Sequence, residues 1–411
     1  MLNAVGIDVS KGKSTITVLQ PGGTVIRKHF DVNHSSSELK DLAKFIGSLD
    51  GETKAVMECT GRYHEPILNT LSDAGIFVTA VNPHLIKNMG NNSLRKVKSD
   101  PVDAKKIARY AIDNWCELRK YSSMDATRTQ LKTLNAQIDF FTKQKAAAKT
   151  NLISLLDMTY PGANDLFESP VRSDGHEKWV DYVAKYWHVD CVRKRSLKDF
   201  TESYRKFCKK NRYNFQASKP EEIYNAAKEL IAVFPKEDEY KQLVQMGVEQ
   251  VLTASIHVEK IRMEMNRLAA TLPEYNIVMS MRGVGTKLGP QLIAEIGDVS
   301  RFTHREAITA YAGVDPGVDE SGQHCAKSNK SSKCGQPRLR RTLFLVMDSL
   351  LKTAPIDDPV YRFLDKKRSE GKPYKVYMTA GANKFLRIYY GKVKEHLHKL
   401  EMEAQKQETV K

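Results

Sequence analysis

Gly6-Ile7-Asp8-Val9-Ser10-Lys11 ends an apolar strand on a carboxylate, and Ala55-Val56-Met57-Glu58-Cys59-Thr60-Gly61 does the same further along the chain. A carboxylate in an apolar strand costs several kcal/mol unless something positive neutralises it. Both strands therefore ask for a cation. Two more acids follow in Lys98-Ser99-Asp100-Pro101-Val102-Asp103-Ala104-Lys105-Lys106-Ile107-Ala108. Asp100 and Asp103 stand three apart where a helical pattern opens, so they share a helix face. Asp8, Glu58, Asp100 and Asp103 form an oxygen-only set with no His or Cys cluster beside it, which favours Mg²⁺ or Mn²⁺ over zinc. Two such ions would clamp the attacking and leaving oxygens of a phosphodiester. Singly, each acid has a structural reading: Asp100 before Pro101 is a helix cap, and Asp8 can serve a turn.

Around these residues the spacing predicts strands at 4–9, 14–19 and 23–30, a helix at 36–49, a strand at 54–58, a helix at 64–74, a strand at 76–81 and a helix at 101–114. This is mixed α/β in the order of a ribonuclease-H-like fold. It places Asp8 on the first strand beside Glu58 on the fourth.

The chain has 411 residues, enough for two or three domains with separate cores. Its net charge of +16 and pI near 9.3 make polyanions, above all nucleic acid, the expected partners. No apolar run is long enough to span a membrane. The opening Met-Leu-Asn-Ala-Val-Gly-Ile-Asp lacks the layout of a signal peptide, so a cytoplasmic protein is expected. Six scattered cysteines without CxxC pairs read as reduced thiols.

The expected domains are 1–118, 119–270 and 271–411. In the middle one, apolar residues step by threes and fours through Leu131, Leu134, Ile138, Phe141, Ala148, Leu152 and Leu155, interrupted at Lys145. A second stripe runs Val244, Gly247, Val251, Ala254, Val258, Ile261, Met265 and Leu268. The spacing reads as coiled coil, either an antiparallel pair or an oligomerisation arm, with two amphipathic helices on a globular core as the alternative. Between the stripes lies a basic insertion, 160–220. From Cys191 to Tyr213 nine Lys or Arg residues face only Asp199 and Glu202, and Phe200, Tyr204, Phe207 and Tyr213 interleave with them. That mixture suits backbone neutralisation and base stacking, with Arg193, Lys194, Arg195, Lys209 and Lys210 as candidate contacts. An amphipathic helix with a solvated basic face carries the same pattern.

The last region is read as mainly helical. Arg282-Gly283-Val284-Gly285-Thr286-Lys287 between two apolar helices resembles a helix–hairpin–helix unit, whose glycines let turn amides approach a phosphate. A Gly-x-Gly turn is also a plain helix stop. From Ser321 to Met347 there are six basic residues, Lys327, Lys330, Lys333, Arg338, Arg340 and Arg341, and no acidic one. With Lys98, Gly283, Gly285 and Lys287 they complete the candidate nucleic-acid contacts.

GIDVSK, ECTGRYHEP, VNP, KSDPVDAKKIA, RGVGTKLGPQLIAEIGDVSRF, AYAGVDP, ESG, SSKCG and LRRTLF occur in one order along the chain. This ordered set resembles insertion-sequence transposases that join a RuvC-like acidic-tetrad domain to a C-terminal transposase domain bearing a serine. The resemblance implies a recombinase guided by an element-encoded bridge RNA, a structured guide whose loops pair with double-stranded donor and target DNA. It assigns Asp8, Glu58, Asp100 and Asp103 to the Mg²⁺-binding tetrad. Ser321 becomes the nucleophile that joins DNA covalently, in a site completed by another subunit of a dimer or tetramer. From the residues alone Ser321 stands no higher than Ser328, Ser331 or Ser332, since a serine before glycine is usually a turn residue. Two other readings share much of the pattern: a hydrolytic nuclease resembling Holliday-junction resolvases, and a nucleic-acid-binding protein without catalysis.

Overall fold

The computed structural model describes residues 1–59, 61–88, 100–121, 125–317, 320–321, 324–325 and 331–409. Lys98, Lys327 and Lys330 lie outside the described residues. The chain divides into two compact units, Met1–Met124 and Asp125–Lys411.

The first unit is built on five strands, β1 (Leu2–Ser10), β2 (Lys13–Leu19), β3 (Val25–Asn33), β4 (Glu52–Glu58) and β5 (Phe77–Val81). Their order is β3-β2-β1-β4-β5. β1, β2 and β3 pair antiparallel, while β4 is parallel to both β1 and β5. This is the order expected of a ribonuclease-H-like domain. Gly12, at φ +82°, makes the tight β1–β2 turn. β3 starts later than the spacing predicts, because Gln20 N–H donates to Thr24 O at 2.9 Å and draws Gly23 into the preceding turn.

Helices α1 (Ser36–Gly47), α2 (Glu65–Asp73), α3 (Pro83–Asn88) and α4 (Asp100–Asp113) complete the unit. α1 opens on a reciprocal cap: Glu38 N–H donates to Ser35 Oγ at 3.3 Å, and the Glu38 carboxylate accepts from Asn33 N–H at 2.8 Å. Successive strand residues face opposite ways. Val5, Ile7, Ala55 and Met57 accordingly meet Leu39, Leu42, Ile67 and Leu71 of α1 and α2 in one core, while Ala4 and Val56 meet Ile107, Ala108 and Ala111 of α4 in another. Burial on both faces explains why these strands read as nearly unbroken apolar runs.

Two long helices, α5 (Ala126–Thr159) and α10 (Asp238–Ala269), run antiparallel in the second unit. Between them in sequence come α6 (Lys178–Lys185), α7 (Asp190–Arg193), α8 (Leu197–Lys210) and α9 (Lys219–Glu229). After them come α11 (Tyr275–Met279), α12 (Gly289–Ile296), α13 (Arg305–Ala312), the short strands β6 (Glu320–Ser321) and β7 (His324–Cys325), α14 (Pro337–Thr353), α15 (Pro359–Ser369) and α16 (Tyr374–Thr409). At one end of the pair, Leu131, Ile138, Met265 and Leu268 share a core with α12, α14 and α16. At the other, Leu152, Leu156, Val244 and Val251 share one with α6 and α8. The expected stripes thus pair within one chain, and the boundary expected at 270 falls inside one compact unit. Lys145 interrupts its stripe because its Nζ bonds Ser255 Oγ and Glu177 Oε1, each at 2.8 Å.

Base stacking on Phe200, Tyr204 and Phe207 is overturned, while Tyr213 is half-buried with its hydroxyl donating to Asp181 Oδ2 at 2.7 Å. Phe200, Tyr204 and Phe207 are buried, packed with Tyr182 and Tyr186 into the aromatic core of a small helical bundle. Positions 200, 204, 207 and 208 lie on one face of α8, so interleaved aromatics and cations are what an amphipathic helix shows in a linear sequence. Of the basic candidates there, Arg193 and Lys194 both pair with Asp190, at 2.5 and 2.8 Å, and Arg195 donates to Ser203 Oγ at 3.2 Å. Lys209 and Lys210 are exposed on the last turn of α8.

Candidate active site and nucleic-acid groove

One absent side chain seats the acidic residues. Gly6 lies on β1 under α4, and a Cβ built there collides with the backbone O of Ala104 and N of Ala108 and stands 2.8 Å from the Ala108 Cβ. Only glycine lets the helix settle this close to the strand. Asp8 is two residues on from Gly6 and so faces the same way. Glu58 follows Met57, which pairs with Ile7, so the two acids end adjacent parallel strands on the α4 side of the sheet.

Asp103, on the first turn of α4, stands close enough to Glu58 to act on its charge. Burial pushes the Glu58 carboxyl above its usual value, the negative charge of Asp103 pushes it further, and Lys87 and Lys106 oppose both. Lys106 Nζ also stands 3.4 Å from Asp103 Oδ1. Asp100 begins α4 one turn away and is exposed. Asp8 is half-buried and engaged with neighbours. Among the described residues no three acids, histidines or cysteines already stand as a closed ligand set. The donor chemistry fits a hard divalent cation all the same, because every donor is a carboxylate oxygen and the Glu58–Asp103 repulsion is what such a charge would relieve. Lys87 and Lys106 were missed in the sequence, where a lysine on a helix carries no signal of its position.

In the second unit, the backbone of Ser321 pairs with His324 across β6 and β7. The base of this loop is tightly built. Gly313 takes φ +66°, and a Cβ on Gly335 would collide with the Tyr311 carbonyl. Ser332 Oγ donates to Asp315 Oδ1 at 2.6 Å, and Pro316 bridges Ser331. Ser332 is thereby committed to holding the loop. Arg340 is as well, since its Nη1 donates to the Ala312 carbonyl at 2.9 Å. Lys333 is exposed at the same base, its N–H on Gly313 O at 3.2 Å.

Another group of candidates does converge. α5, α10, α14 and the turn between α11 and α12 enclose an open groove of about 680 Å³, and Gly283, Gly285, Lys287, Arg338 and Arg341 all line it. The two glycines play different parts. Gly283, at φ +75°, lets α14 approach, since a Cβ there would stand 2.7 Å from Leu350 Cγ, whereas a Cβ on Gly285 meets nothing within 4 Å. Gly285 therefore leaves the turn open to a ligand. Arg262, Lys352 and Asp139 also line the groove and were not singled out in the sequence.

A family model of DEDD transposases of the IS110 type matches residues 5–161, and one described as the transposase IS116/IS110/IS902 family matches residues 275–362. Together they span more than half the chain. The chain belongs to the IS110 family of transposases. A 44.8 kDa protein of insertion element IS116 from Streptomyces clavuligerus is 21% identical over 376 residues, 89% of this chain and 88% of that protein. The pilin gene-inverting protein of Moraxella bovis is 28% identical over 128 residues, 30% of this chain and 39% of its own. Among solved structures, T. thermophilus RuvC in complex with a Holliday junction substrate matches with a TM-score of 0.22 and 14% identity, covering 28% of this chain and 96% of that one. As a member of this family the transposase is an enzyme that rearranges DNA. No helix among its described residues is long and apolar enough to cross a membrane.

Proposed function

We propose that the transposase is an RNA-guided recombinase that cuts and rejoins donor and target DNA through the acidic tetrad and Ser321. The observation that carries this is the Gly6 contact, which sets Asp103 of α4 against Glu58 on the same side of the sheet as Asp8. Asp8, Glu58, Asp100 and Asp103 would hold Mg²⁺ or Mn²⁺. A divalent ion bound there supplies charge neutralisation at the phosphodiester and eases ionisation of an attacking hydroxyl. Ser321 attacks phosphorus, its proton leaves with base assistance, and the displaced DNA hydroxyl departs as the phosphoserine ester forms. Attack by another strand's hydroxyl on that ester reverses the step and frees the serine. Lys106 lies where it can hold a phosphate oxygen as well as Asp103.

Exchange of strands, rather than hydrolysis, is favoured by the relative whose name is pilin gene-inverting protein, because inversion requires rejoining. The working form proposed is a dimer or tetramer in the cytoplasm, with the site shared between subunits. The net charge of +16 suits binding of both guide RNA and DNA duplexes.

The test is to express the protein with its native flanking DNA, sequence the RNA that co-purifies, and trap the reaction with denaturant. A structured RNA encoded beside the gene, and a protein–DNA adduct lost in Ser321→Ala, are expected. Cut DNA without an adduct, undiminished in Ser321→Ala, would instead establish a hydrolytic nuclease.

A further inference from the structure

The groove of the second unit contains a carboxylate that the proposed function leaves idle. Asp139 of α5 is mostly buried in the wall and faces three cations: Arg341 Nη1 donates to it, and Arg338 Nε and Lys143 Nζ each stand 3.7 Å away. A carboxylate presented to two arginines occupies the position a phosphate would take, since both offer anionic oxygens to the forked N–H donors of guanidinium. Lys287 and Lys352 add positive charge to the same groove, beside the open backbone of Gly285.

The rest of the lining is mixed: Ile138, Leu288 and Leu345 form its apolar part, with Leu345 41% exposed, among Thr142, Gln291, Thr342 and Asp348. At about 680 Å³ it has the size of a site for a small organic group. A duplex, whose major groove by itself holds a whole α-helix, is far thicker than such a space and can only lie across its mouth. An aliphatic surface for a base beside paired arginines for its phosphate describes a single nucleotide.

We propose that this groove receives one unpaired nucleotide extruded from a nucleic-acid strand, and that Asp139 holds Arg338 and Arg341 in the phosphate's place until the strand arrives. The inference rests on the reading of the protein as a nucleic-acid enzyme and deepens it. Extrusion carries a penalty of a few kcal/mol, smallest where the base is already unpaired, so loops and strand ends are the preferred source.

The protein is titrated, by fluorescence anisotropy, into labelled single-stranded hexamers of thymidine and of uridine, a hexamer abasic at every position, and a long blunt-ended duplex. Asp139→Asn removes the competitor and should tighten both hexamers by up to about fivefold, the worth of a surface ion pair. Leu345→Trp fills the groove and should weaken the hexamers about tenfold or more while leaving the blunt-ended duplex nearly unchanged. Ser349→Trp, on the same wall, is the second blocking variant should the first fail to fold. The abasic hexamer should bind like the blocked variants. A stronger response with uridine assigns the pocket to RNA, with thymidine to DNA. Weaker or unchanged binding by Asp139→Asn, or wild-type hexamer affinity in both blocking variants, overturns the proposal. If the wild-type protein still rearranges DNA in that case, only this inference falls. If it rearranges none while the hexamer results hold, the proposed function falls and the pocket stands.

Discussion

Replacing Gly6 by alanine adds one carbon and should disable the acidic site from a position that touches no substrate. That carbon would lie 2.8 Å from the Ala108 Cβ and would overlap the backbone of Ala104 and Ala108. Carbon–carbon contacts settle near 3.5–4.0 Å, so α4 must retreat from β1 by about 1 Å. Overpacking of this kind costs about 1–3 kcal/mol, which in a unit of this size lowers Tm by a few °C per kcal/mol. The same retreat carries Asp100 and Asp103 away from Asp8 and Glu58, and a displacement of about 1 Å in a reacting constellation costs roughly a hundredfold in rate. Gly6→Ala should therefore fold, melt several degrees lower and cleave DNA about a hundredfold more slowly, with nucleic-acid affinity little changed. Ala108→Gly in the same chain should restore little, because the other two obstructions are backbone atoms. Strand-cleavage rates, melting curves and binding isotherms of the two variants provide the check. Wild-type cleavage by Gly6→Ala would refute the account of how the site is seated.

Other outcomes follow from single contacts. Arg128→Met leaves Glu274, 1% exposed and held by Arg128 across the second unit, as an unpaired buried charge, so a loss of about 3–5 kcal/mol in denaturant unfolding is expected. Gly283→Ala should lower Tm, because its φ is +75° and Leu350 fills the space, whereas Gly285→Ala should leave Tm unchanged and weaken only nucleic-acid binding. For pH, burial pushes the Glu177 carboxyl up, but hydrogen bonds from Lys145 and Lys149 prevail and hold it below its usual value. A depressed carboxyl stabilises the fold above its unfolded pKa of about 4.3, and that contribution disappears as pH falls through the folded value. Glu177→Gln should thus flatten the acid limb of Tm against pH while changing little of its slope near neutrality, and an unchanged acid limb would count against this pairing.

Much of the first unit was legible in the sequence because its signals are local. Short apolar runs for the strands and period-3.6 spacing for the helices marked eight elements, each within a few residues of its observed bounds, and the strand-end position of Asp8 and Glu58 followed from the same runs. The i, i+3 spacing of Asp100 and Asp103 likewise needed only a helix. The aromatics of α8 left a stacking surface and an amphipathic helix both open, because a linear sequence interleaves the two faces of a helix, and only packing against α6 shows that the rings face inward.

What the sequence by itself determined is the order of strands and helices, the carboxylates at the strand ends and the basic character of the chain, all set by neighbours a few residues apart. Tertiary structure alone decided three other things: that Gly6 admits α4, that Ser332 and Arg340 serve the loop base, and that Asp139 of α5 meets Arg341 of α14. Each joins elements distant along the chain, and close contact between such elements is chosen by the fit of whole surfaces, which no local spacing records.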